Sequence, residues 1–206
     1  MTSRTREILS TLPANEKDVN TQTFAGETAL RLAVRAAHVQ VVRLLLENGA
    51  DFNARSDDQL GVLEAASIFG QIEIVQWLLK KDADVNETRN RYGGPLCGAV
   101  LFDKERIVRL LLDNGAAVNV KGRPWGNPLQ VAAFMGLETI VQWLLESGAE
   151  VNACRESEQK NALSLALLKG HESIARLLRE YGAVESGASE QLPEINGETN
   201  VNANSG

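Results

Sequence analysis

Apolar positions along the chain fall in short clusters with helical spacing. In Glu73-Ile74-Val75-Gln76-Trp77-Leu78-Leu79 the residues Ile74, Val75, Leu78 and Leu79 lie on one side of a helix, with polar residues between them. That spacing predicts an amphipathic helix burying one face. The clusters come in pairs, and glycines punctuate them. Gly70, Gly136 and Gly170 follow the first helix of a pair; Gly49, Gly115, Gly148 and Gly182 follow the second, where a left-handed cap is needed. Thr28, Asn127 and Asn161 stand where a side chain can accept an orphan helix N–H. Pro95 and Pro128 fit the first helical position, where the missing N–H costs nothing. The pattern predicts an all-α protein of short paired helices.

The pairs repeat on a fixed period. Glu47-Asn48-Gly49-Ala50-Asp51-Phe52-Asn53 returns as Lys80 to Asn86, Asp113 to Asn119 and Glu146 to Asn152, so the closing asparagines are 33 residues apart (86 − 53, 119 − 86, 152 − 119). Leu30, Leu63, Leu96, Leu129 and Leu163 keep the same register, with one extra residue in the loop Arg155 to Lys160. A period of this length marks a stacked repeat architecture. The chain resembles the ankyrin-repeat family over roughly residues 5–184, most clearly in Gly26-Glu27-Thr28-Ala29-Leu30-Arg31-Leu32-Ala33 followed by Val41-Val42-Arg43-Leu44-Leu45-Leu46. The resemblance implies a solenoid of stacked helix-turn-helix units with β-turn or hairpin tips.

On this register residues 1–22 form an N-terminal half-repeat cap. Five repeats follow at about 23–55, 56–88, 89–121, 122–155 and 156–184, and residues 185–206 read as a disordered acidic tail. The fifth repeat has the more polar second helix expected of a C-terminal cap. Two departures from the family stand out. Where its signature has histidine, this chain has Arg31, Glu64, Cys97, Gln130 and Ser164, which puts the usual hydrogen bonding between repeats in doubt. Asp82, Asp103 and Ala37 replace cap glycines, and local weakness is expected there.

The net charge of −6 lacks the basic footprint of a non-specific nucleic-acid binder and disfavours anionic membranes. Two cysteines, no leader-like apolar run and no membrane-length segment point to an intracellular protein, cytoplasmic or nuclear, and monomeric by itself. His38 and His171 are four repeats apart, about 30–40 Å at the usual helix spacing, and read as helix-start residues rather than a shared site. Glu73, Glu105, Glu138 and Glu172 begin second helices, where the dipole favours them. No catalytic motif is present, and neither a metal nor an organic cofactor is expected. Trp77 and Trp143 read as packing between second helices.

The family resemblance implies binding through the turn tips and the exposed side of the first helices. Here the middle three repeats carry apolar pairs at the ends of those helices: Ile68-Phe69, Leu101-Phe102 and Phe134-Met135. If exposed, they form a patch of interface size; if tucked between helices, they are core, and the sequence leaves both readings open. The tips add Arg89, Arg91, Tyr92, Arg123 and Trp125, residue types that often anchor interfaces. These residues are the candidate site of a non-enzymatic adaptor or inhibitory subunit gripping a protein partner in the groove of repeats two to four. The alternative is a small-molecule binder or unusual enzyme using the same apolar groove.

Overall fold

The computed structural model describes residues 19–24, 26–54, 60–88, 92–122, 126–154 and 160–186. Within them the chain forms paired helices in strict alternation. The first helices are α1 (Ala29–Arg35), α3 (Val62–Ile68), α5 (Gly94–Leu101), α7 (Pro128–Met135) and α9 (Ala162–Lys169). The second helices are α2 (Val39–Glu47), α4 (Ile72–Lys80), α6 (Glu105–Asp113), α8 (Glu138–Glu146) and α10 (Glu172–Glu180). Each first helix packs on its own second helix and on the neighbouring first helices, the three inner ones having one on either side. The second helices form a parallel outer layer in the same order. Isolated antiparallel bridges, Gln22 with Thr28 and Gly122 with Gly126, mark the tips of the first and fourth repeats.

The helices begin and end as the side chains dictate. Thr28, Asn127 and Asn161 each accept a hydrogen bond from the backbone N–H three residues on. Asn127 and Gln130 form a complete capping box, with Pro128 at the helix start. His38 and His171 stand at the N-caps of α2 and α10, but neither ring caps its own helix. Instead the His171 ring bonds the Phe134 carbonyl of the preceding repeat through Nε2, at 3.2 Å. Ala37, Asp82 and Asp103 all adopt positive φ, between 51° and 59°, in the turns where glycine is the usual residue.

The core runs unbroken from repeat to repeat. Leu30, Leu63, Leu96, Leu129 and Leu163 are all buried in it, as are the small residues Ala66, Ala99, Ala132 and Ala166. Small residues let the first helices approach closely, and Gly98 shows how closely. A Cβ placed on Gly98 would stand 2.9 Å from the Ile68 side chain of the previous repeat.

Hydrogen bonds between repeats are present, rebuilt with other side chains than histidine. Gln130 donates through Nε2 to the Ala153 carbonyl at 2.7 Å and the Lys160 carbonyl at 3.3 Å, both in the next tip. Ser164 bonds both the hydroxyl and the carbonyl of Ser186. Arg31 is fully buried, and its Nε donates to Glu27 in its own repeat at 2.9 Å. The closing asparagines add a second ladder. Asn86, Asn119 and Asn152 each donate to a carbonyl of the next turn, those of Gly115, Gly148 and Gly182. Each also accepts from a backbone N–H just beyond it, those of Ala117, Glu150 and Val184. The periodic asparagine is thus a clamp between neighbouring loops.

Candidate binding surface

The first helices of repeats two to four are covered on both flanks by their neighbours and behind by the second helices. What remains open is their C-terminal end and the tips, so a partner-facing residue has to stand there. The apolar pairs at those ends divide cleanly. Ile68 is buried, only 8% exposed, against Gly98 of the next repeat, so it is core and not part of an accessible stripe. Leu101 and Phe134 are half-buried, and Leu101 packs on the core. The second residue of each pair turns outward: Phe69 is 50% exposed, Phe102 44% and Met135 39%. The reason is the helix end itself. Phe69 and Phe102 are the C-cap residues of α3 and α5, and the next residue reverses the chain with positive φ. The accessible apolar series is therefore Phe69, Phe102 and Met135, one residue per repeat.

Cations stand beside this series. The Lys169 ammonium lies 4.4 Å from the centre of the Phe134 ring, a distance at which the ring face attracts it. The Lys104 side chain lies against Gly70, next to Phe69. Tyr92 is half-buried at the third tip, where its backbone meets the fourth: a Cβ on Gly122 would stand 2.4 Å from the Tyr92 carbonyl oxygen. That contact brings Tyr92 beside the fourth tip. Arg89, Arg91, Arg123 and Trp125 lie outside the described residues, as do the acidic tip residues Asp57, Asp58, Glu156 and Glu158.

Other chemistry-bearing side chains are accounted for by structure. Burial, with the nearby Glu64 carboxylate, pushes the Cys97 thiol up to about 12, so it stays protonated near neutral pH and is a poor nucleophile. Its sulfur faces the Gly126 carbonyl at 3.8 Å. Trp77 and Trp143 are half-buried between second helices, each under a cation from the repeat before it: Arg43 at 5.0 Å and Arg109 at 5.6 Å. Both arginines stand 34 residues ahead of their tryptophan, a recurrence that gives the pairing away in the sequence. Among the described residues no helix is long and apolar enough to cross a membrane.

An unbroken core of stacked helix pairs, joined by side-chain ladders and open along one row of helix ends, defines a repeat scaffold with an extended contact surface. The family comparison says which scaffold. A family model described as ankyrin repeats, in three copies, matches residues 2–89, 63–154 and 96–186, and the chain belongs to that family. Its members are typically protein–protein interaction modules. No match was found among curated proteins.

Proposed function

We propose that this chain is a non-enzymatic adaptor or regulatory subunit that holds a protein partner along the first-helix ends of repeats two to four. The observation that carries this is the exposed series Phe69, Phe102 and Met135. Large apolar side chains left in water at three successive equivalent positions favour a covering surface. Lys104 and Lys169 beside the series, with Arg89, Arg91 and Arg123 in the neighbouring tips, favour a partner that adds acidic groups around an apolar stripe. Adjacent first helices are about 8–10 Å apart. The partner's apolar residues therefore recur at about that spacing.

The test is affinity purification with the parent chain and with Phe102→Ala and Trp125→Ala variants, followed by binding measurements on the captured partner. Each variant is expected to bind at least about tenfold more weakly, since an anchor residue contributes about 2 kcal/mol or more. Because Phe102 is half out of the protein, its variant keeps a melting temperature close to the parent's. A folded Phe102→Ala chain with undiminished affinity would remove the groove as the binding site.

A further inference from the structure

Two helix C-caps of the outer layer carry a residue pair that rearranges by itself. The chain has three Asn-Gly pairs. Asn48-Gly49 and Asn114-Gly115 lie among the described residues; Asn196-Gly197 lies with the rest of the tail outside them. Both described asparagines are exposed, and they cap the second helices α2 and α6. At the same positions the other repeats have Lys81-Asp82, Ser147-Gly148 and Tyr181-Gly182. Each asparagine donates through Nδ2 to the carbonyl four residues back, Asn48 to Leu44 at 2.7 Å and Asn114 to Leu110 at 2.8 Å. Each glycine has φ +81° and open space where a Cβ would stand.

Asparagine is a thermolabile residue, and before glycine its weak point is the side-chain amide carbon. The glycine nitrogen, unhindered by a side chain, loses its proton and attacks Cγ. The bond from Cγ to the side-chain nitrogen breaks, ammonia leaves, and a five-membered succinimide forms. Water then opens the ring at either carbonyl, giving aspartate or iso-aspartate. In the folded cap both reacting groups are engaged. The side chain is drawn back to the helix, and Gly49 and Gly115 donate their N–H groups to Leu46 at 3.4 Å and Leu112 at 3.0 Å. Attack therefore waits on local opening of the cap. The longer bond at Gly49 makes Asn48 the faster site.

We propose that Asn48 and Asn114 are sites of spontaneous conversion to aspartate and iso-aspartate, and that conversion at Asn114 releases the clamp between repeats two and three. Asn86 donates to the Gly115 carbonyl at 3.2 Å and accepts from the Ala117 N–H at 2.6 Å. Iso-aspartate at this cap routes the backbone through the former side chain. The added methylene falls immediately before Gly115 and displaces both groups that Asn86 holds. Either product also replaces a donor by a carboxylate facing the Leu110 carbonyl, at the negative end of the helix dipole and beside Asp113. The two repeats joined by this clamp carry Phe69 and Phe102. The spacing of those side chains thus undergoes a one-way change as the molecule ages, whatever the groove binds.

The experiment incubates the full chain in warm, mildly alkaline buffer, folded and in urea. Peptides are then mapped by mass spectrometry with separation of aspartate from iso-aspartate. Both sites are expected to convert in the folded chain, Asn48 before Asn114, and at least about tenfold faster in urea, where the caps are open. Hydrogen exchange followed by NMR reads the clamp. The Ala117 amide is expected to exchange at least about fivefold faster in chains converted at Asn114. A smaller effect is expected in Asn114→Asp, which has the charge without the lengthened backbone. Asn114→Gln, whose amide cyclises far more slowly, is expected to keep its Ala117 exchange through the same incubation. A folded chain intact at both sites while the urea sample converts would overturn the proposal. So would conversion at Asn114 that leaves the Ala117 amide unchanged.

Discussion

The two helices of the third repeat bury themselves in different ways. α5 is buried from Gly94 through Val100, on every side. α6 buries only Ile107, Val108 and Leu111, while Glu105, Arg106, Arg109 and Asp113 are exposed. A first helix has neighbours on both flanks and a second helix behind it; a second helix has solvent at its back. The inner layer therefore carries the cohesion of the stack, and only its helix ends are free for a partner. The outer layer tolerates charge along most of its length. One residue separates the two roles at each inner helix end, as Ile68 and Phe69 show.

That contrast can be broken most strongly at the core of the inner layer. Leu129→Ala is expected to cost about 2–5 kcal/mol in denaturant titration, because a fully buried leucine leaves a cavity. Next comes the close approach between inner helices. Gly98→Val puts a side chain where a Cβ already meets Ile68 at 2.9 Å, and is expected to cost about 1–3 kcal/mol. Adding Ile68→Ala should return part of that loss; additive losses would show that the two residues do not meet. Turns between the layers should respond less. Ala37→Gly is expected to raise stability by about 1 kcal/mol, since an alanine at φ 55° is strained there. The outer layer should respond least. Arg109→Ala removes an exposed cation over Trp143, and a loss of about 0.5–1 kcal/mol is expected. A larger loss there than for Leu129→Ala would reverse the assignment of the layers.

Much of the fold was legible because the chain states it five times. The 33-residue period, the caps at Thr28, Asn127 and Asn161, and the glycine turns are local signals, and each names its own helix boundary. The candidate surface was legible only as a row of pairs. Which member of Ile68-Phe69 points inward depends on where the left-handed turn falls and on the neighbouring Gly98, and no spacing rule within a single helix contains either. The partners of Gln130 and of the closing asparagines lie 23 to 32 residues away. Their bonds become visible only when successive repeats are stacked, although the regular return of asparagine was itself the sign. His171 does stand at the start of its helix, but its ring serves the preceding repeat, a contact no local signal announces.

The asparagine clamp also fixes the unit in which such a chain can lengthen or shorten. The side chain of each of these asparagines bonds the next loop, and that loop offers an equivalent carbonyl and N–H each time. Excising residues 87–119 would join Asn86 to Val120 and set Asn86 where Asn119 had stood, facing Gly148 and Glu150. A loop can absorb one residue more, as the longer fifth repeat does while Asn152 still bonds Gly182 and Val184, but a cut that shifts the helices by a fraction of a repeat would leave an asparagine opposite the wrong atoms. The molecule is therefore quantised along its axis: the groove can grow or shrink by one repeat at a time, and a gene that duplicates in these steps acquires new binding length without new architecture.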